Sequence, residues 1–148
     1  MVACLAPGLR SEKVRHGPLA YGPLTSGPLD RAMTRDWAQP LAGKAIRRDL
    51  AKFARGVHPR VLLDAASRFG QFAGPVRILW GEADPYFRTE LGRQLSDAFP
   101  RAGLTTVPAG RTFLPLDHPD EVAREITAAI GDMRAGEAPR ARSGKPES

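Results

Sequence analysis

Asp84 is the side chain in this sequence best placed to do chemistry. It follows Pro75-Val76-Arg77-Ile78-Leu79-Trp80-Gly81, a short and mostly apolar run rich in β-formers, bounded by Gly74-Pro75 and Gly81. Such a run fits a buried strand, so Asp84 stands just past a strand end. In open parallel sheets, sites form at the carboxyl ends of strands, where loops and helix N-termini converge. A carboxylate there can accept an imidazole N–H, fix the tautomer and stabilise imidazolium. Its plainer use is to cap the turn, because Asp before Pro is a common turn residue. The other chemistry-bearing side chains are scattered. His58 and His118 each precede a proline, His16 lies in an irregular start, and Cys4 is the one cysteine. Three separated histidines and one cysteine give no metal-ligand spacing, so neither metal nor cofactor is expected.

The elements that must hold Asp84 can be read from periodicity. Gly-Pro-Leu recurs at Gly17, Gly22 and Gly27. Proline removes a backbone donor and fixes φ, so residues 1–28 are expected to be irregular, without helix or central strand, and disordered to about residue 15. Asp30 can cap a short helix holding Met33 and Trp37 and stopping at Pro40. A second helix is expected over 43–56, with Ile46, Leu50 and Phe53 inward and Arg47, Arg48, Asp49 and Lys52 outward. A third, over 59–69, turns Leu62, Leu63, Ala66 and Phe69 inward, with Pro59 in its first turn. After the strand at 75–81 come a helix over 88–99, a strand over 104–107 and a loop from Pro108. The last helix opens at Pro119, with an apolar face of Val122, Ile126, Ile130 and Met133. Beyond Arg134 no period remains, and a disordered tail is expected.

The strand–helix–strand–helix order predicts a parallel β-α-β-α unit preceded by helices, an α/β chain. Parallel strands lie in larger sheets covered on both faces. Two strands with one or two helices leave apolar surface uncovered, so the unit is expected to be part of a larger sheet. An open sheet edge also predicts self-association. The expected segments are an irregular start at 1–21, a helical segment at 22–73, the β-α-β-α unit at 74–134 and a tail at 135–148.

Bulk composition narrows the partners. Hydrophobic residues make 42% and charged residues 26% of the chain, a globular balance. The net charge is +6, but residues 17–133 carry 15 basic and 13 acidic side chains, and the two ends carry 7 and 3. The excess therefore falls in segments not expected to pack, which argues against a nucleic-acid face. No apolar run approaches the ~20 residues of a membrane span. The short apolar stretch Met1–Leu9 lacks a basic region before it and reads poorly as a signal peptide. With a lone cysteine, a cytoplasmic setting is expected.

The Trp80-Gly81-Glu82-Ala83-Asp84 phrase at the end of an apolar strand resembles the acid-bearing turn of α/β-hydrolases of the epoxide-hydrolase and haloalkane-dehalogenase-like group. Leu95 to Pro100, Leu104 to Val107 and Leu116-Asp117-His118-Pro119-Asp120-Glu121-Val122 are similar, in register, to that group's next helix end, last strand and final helix opening. The preceding helices resemble its cap region, and the likeness covers about 22–131. It implies a partial α/β-hydrolase fold with Asp84 as the triad acid, and Trp80 and Phe113 as pocket-lining residues. It implies hydrolysis of an ester, epoxide or carbon–halogen bond by ancestry, with a small-molecule substrate if a nucleophile-bearing N-terminal half completes it.

Two departures bear on activity. The group's Gly-x-(Ser/Asp)-x-Gly nucleophile turn does not occur in this sequence. In register, Thr112 stands where the group places its histidine base, and threonine is no general base near neutral pH. His118, the nearest histidine, is then the candidate for a displaced base, although a residue just before Pro119 is more ordinarily a solvated helix-start side chain. The expectation is a hydrolase-derived chain that is inactive by itself. The alternative is a non-catalytic interaction module that reuses the same elements.

Overall fold

The computed structural model describes residues 8–135. Two compact units divide the chain, Met1–Asp64 and Ala65–Ser148. The boundary falls inside the segment expected at 22–73. Cys4, most of the short apolar stretch at the start and nearly all of the expected tail lie outside the described residues.

The first unit is helical. A 3-10 turn at Gly8–Arg10 leads to α1 (Glu12–Arg15), a second 3-10 turn at Gly22–Leu24, and α2 (Arg31–Ala38). A third 3-10 turn, Gln39–Ala42, leads to α3 (Lys44–Gly56), and α4 (Pro59–Ala66) carries the unit boundary. The expectation of a start without helix is thus corrected over residues 8–24. Pro23 sits in the first turn of its 3-10 segment, where a missing N–H costs nothing. Arg15 holds the region together. It is 5% exposed, and its Nη1 donates to the carbonyls of Leu9 at 3.0 Å and Arg10 at 2.7 Å. Part of the basic excess assigned to unpacked ends therefore belongs to a folded unit.

Asp30 caps α2 as expected, its Oδ1 accepting from the Met33 N–H at 2.7 Å. Pro40 does not end the run, because it enters the first turn of the following 3-10 segment. Thr34, fully buried, donates its hydroxyl to the Arg31 carbonyl and faces His16 Nε2 at 3.0 Å. His16, to which the sequence assigns no role, is a core polar contact.

The expected inward stripes of α3 and α4 are not buried. Phe53 is 70% and Leu63 68% exposed, and Ile46 and Leu62 are exposed as well. No element among the described residues covers them. Arg47, expected outward, instead turns back and donates to the carbonyls of Leu41 and Ala42, which end the 3-10 turn.

The second unit carries the sheet. After a 3-10 turn at Phe69–Gln71 come β1 (Val76–Gly81), α5 (Thr89–Asp97), β2 (Ala102–Val107), α6 (Leu114–Asp117) and α7 (Pro119–Ala135). The strands pair in parallel, Val76 opposite Ala102 through Gly81 opposite Val107. The chain is therefore α/β: helices with a two-stranded parallel sheet. β2 begins two residues before the expected 104, because the Val76 N–H donates to the Arg101 carbonyl and extends the ladder. The expected loop from 108 to 119 contains α6, whose Pro115 occupies its first turn.

Ile78, Val107 and Leu114 form the buried apolar core here, each contributing roughly 1.5–3 kcal/mol. Phe69 stacks on Phe99, with ring centroids 4.5 Å apart. The final helix opens at Pro119 as expected. Its apolar face stays uncovered, with Ile126, Ile130 and Met133 exposed. No helix among the described residues is long and apolar enough to cross a membrane.

What fastens α7 to the sheet is polar. Arg77 Nε donates to Asp132 Oδ2 at 2.7 Å and Nη1 donates to Glu125 Oε2 at 2.9 Å. Thr105 on β2 donates to the other Glu125 oxygen at 3.1 Å. The three charged side chains are 13–17% exposed. Burial works to lower the Arg77 pKa, but its hydrogen bonds to Glu125 and Asp132 outweigh that and hold it above the ordinary arginine value. A raised value means a contribution present below the ordinary pKa and lost as pH rises through the folded one. The arginine's share therefore does not change across neutral pH.

Candidate functional site

Gly81 brings the end of β1 hard against the loop after β2. A Cβ at Gly81 would collide with the backbone of Gly110 and Arg111, so only glycine permits this approach. The chain then leaves β1 tied to that loop. The Glu82 N–H donates to Val107 O at 2.9 Å and the Ala83 N–H to Gly110 O at 3.0 Å. These bonds put Asp84 opposite Thr112.

The Asp84 carboxylate divides its two oxygens. Oδ1 accepts from the N–H groups of Tyr86 at 2.8 Å and Phe87 at 3.0 Å. That is the turn-capping use of aspartate. Oδ2 accepts from the Thr112 hydroxyl at 2.6 Å. Capping and facing a loop partner are therefore both true of Asp84. The pair activates no nucleophile. A carboxylate is far too weak a base to deprotonate an alcohol at neutral pH, and the threonine proton is already committed to it.

A cavity of about 160 Å³ opens beside the pair. Its walls are Leu79, Trp80, Gly81, Phe87 and Leu114, with Asp84, Arg111 and Thr112 supplying polar groups. Trp80 is positioned from two sides. Its Nε1 donates to Phe87 O at 3.1 Å, and its ring lies where a Cβ on Gly92 would come within 2.8 Å. Phe113 is not in the cavity wall; it is half-buried at the N-cap of α6.

His118 is not joined to Asp84 by any hydrogen bond or ion pair among the described residues. It ends α6, its backbone N–H donating to Leu114 O at 2.7 Å. Its Nδ1 lies 4.0 Å from Glu121 Oε2, and its Nε2 is buried without a hydrogen-bond partner. It is thus half-buried rather than solvated. His58 is exposed just before α4. Among the described residues no three His, Cys, Asp or Glu side chains are grouped to hold a metal ion.

Reasoning from sequence missed Arg77, Glu125 and Asp132 as a group. A signal was present: a lone arginine in an apolar strand, and two acids seven positions apart on one face of the final helix. No family model matches the chain, and no curated protein or solved structure matches it.

Proposed function

We propose that this chain is the acid-bearing part of an α/β-hydrolase-type core, with preceding cap-like helices, and that it is not catalytic by itself. The observation that carries the reading is the 2.6 Å contact between Asp84 Oδ2 and Thr112 Oγ1. The resemblance assigns the acid to one of these positions and the base to the other, from motifs 28 positions apart. Their contact beside an apolar-walled cavity is what an acid and its base require. The parent chemistry is hydrolysis of an ester, epoxide or carbon–halogen bond. Asp84 would be the acid, Trp80 a pocket wall, and the nucleophile would come from outside this sequence.

Restoring the base tests the reading. In Thr112→His, the introduced imidazole is expected to titrate about one unit or more above its ordinary value of about 6.5, because a carboxylate within hydrogen-bond reach favours the charged ring. The shift should vanish when Asp84→Asn is added. An unshifted imidazole by NMR titration would remove the geometric support. The unaltered chain is expected to hydrolyse p-nitrophenyl esters no faster than background. Turnover that disappears in Asp84→Ala would overturn the non-catalytic reading.

A second reading, a non-catalytic interaction module, is favoured by the uncovered apolar residues of α3, α4 and α7. Among the described residues each strand also has one edge with no strand beside it. On this reading the chain associates as concentration rises. Sedimentation that stays monomeric from micromolar to hundreds of micromolar would count against it.

A further inference from the structure

We propose that the first unit contains an anion site that takes a phosphate group, built around Arg15. A cavity of about 190 Å³ is lined by Arg10, Arg15, Arg35, Ala38, Gln39 and Ala42. Arg35, Ala38, Gln39 and Ala42 follow at i, i+3, i+4 and i+7, so α2 and the turn after it present one face to the cavity. Arg10 and Arg15 come from the first 3-10 turn and α1.

Three arginines thus line one small space, and among the described residues no acidic side chain lines it. Of the nearby carboxylates, Glu12 pairs with Arg31 at 3.0 Å, and Asp36 lies 3.8 Å from Arg35 Nε with both side chains exposed, a solvent-screened contact that leaves Arg35 able to turn to a ligand. Arg15 is the decisive member. It is 95% buried, two carbonyls occupy its Nη1, and its Nε is buried with no hydrogen-bond partner. A buried cation without a counter-charge is costly. Arg15 lines the cavity with one donor still unused, and a bound oxyanion would supply the counter-charge it lacks.

The charge count selects the ligand. Guanidinium forks suit carboxylate and phosphate alike. Three cations favour a dianion, and a phosphomonoester carries about −1.5 to −2 near neutral pH. The methyls of Ala38 and Ala42 and the Gln39 amide leave room for a small organic group beyond the phosphate. The buried Arg15 would set the floor, and the exposed Arg10 and Arg35 would close on the ligand from the rim. This site is independent of the reading of Asp84.

Calorimetric titration of the whole chain with inorganic phosphate, phenyl phosphate and acetate, each against sodium chloride at equal ionic strength, tests the proposal. Saturable phosphate binding is expected, weakened tenfold or more in the Arg10→Ala, Arg35→Ala double variant. Both side chains are exposed, so that variant should unfold at an unchanged temperature in chloride. Tighter binding of phenyl phosphate would identify a phosphorylated small molecule as the ligand class, and binding of inorganic phosphate alone would identify the free ion. Arg15→Met should abolish binding, with far-ultraviolet circular dichroism checking that the unit stays folded. Absence of saturable binding, acetate binding as tight as phosphate, or wild-type affinity in the double variant would each overturn the assignment.

Discussion

Arg77→Met is expected to lower the free energy of unfolding by about 3 kcal/mol, toward the lower end of what removing one partner from a buried ion pair costs. The cause is less the lost attraction than what remains. Glu125 and Asp132 stay 15–17% exposed and face each other without a cation. Thr105 still donates to one Glu125 oxygen but supplies no charge. Urea unfolding measures the loss. Arg77→Lys should recover part of it, since an ammonium supplies charge but not a fork that bridges two carboxylates. Replacing all three charged residues by Met should recover most of it, because no buried charge is then left unpaired. A loss below about 1 kcal/mol in Arg77→Met would mean that the triad behaves as a surface ion pair, and that α7 is held by something else.

The second large effect is expected at Asp84. Asp84→Ala deprives the Tyr86 and Phe87 N–H groups and the Thr112 hydroxyl of their common acceptor. Asp84 is half-exposed, so water replaces part of what is lost, and about 2 kcal/mol is expected. Asp84→Asn keeps the Oδ1 acceptor and offers an N–H toward the threonine oxygen, so it should lose less than half as much. A double-mutant cycle with Thr112→Val isolates the cross-loop contact, with a coupling of about 1 kcal/mol expected. Equal losses in Ala and Asn, or zero coupling with Thr112→Val, would show that the carboxylate neither caps the turn nor meets the loop.

Local signals were legible and distant ones were not. Asp30 as a helix cap, Pro119 as a helix opening and Val76–Gly81 as a strand rest on neighbours within a turn or two, and each appears in the structure. The triad of Arg77, Glu125 and Asp132 spans 48 and 55 positions, and periodicity carries no information at that range. Apolar stripes predicted which side chains share a face, but not whether anything covers it. Leu62, Leu63, Ile126 and Ile130 keep their helical spacing and remain exposed. The start departs from expectation for a different reason. Proline disfavours the interior of an α-helix, yet 3-10 turns accept it in their first positions, and a buried arginine on α1 ties that helix to the 3-10 turn before it. At the site, Asp84 was legible as a turn-capping carboxylate just past a strand end, and its meeting with Thr112 was not. Their contact distance, and the glycine at 81 that allows it, required the fold.

The division of labour at Asp84 has a consequence for how such a spot could change its trade. One oxygen is aimed by the main chain, through the amides of Tyr86 and Phe87. The other is then directed at residue 112 whatever side chain stands there. The address is written in the backbone and the tenant is interchangeable. Residue 112 can therefore be exchanged for another hydrogen-bond donor without rebuilding the turn that aims the carboxylate.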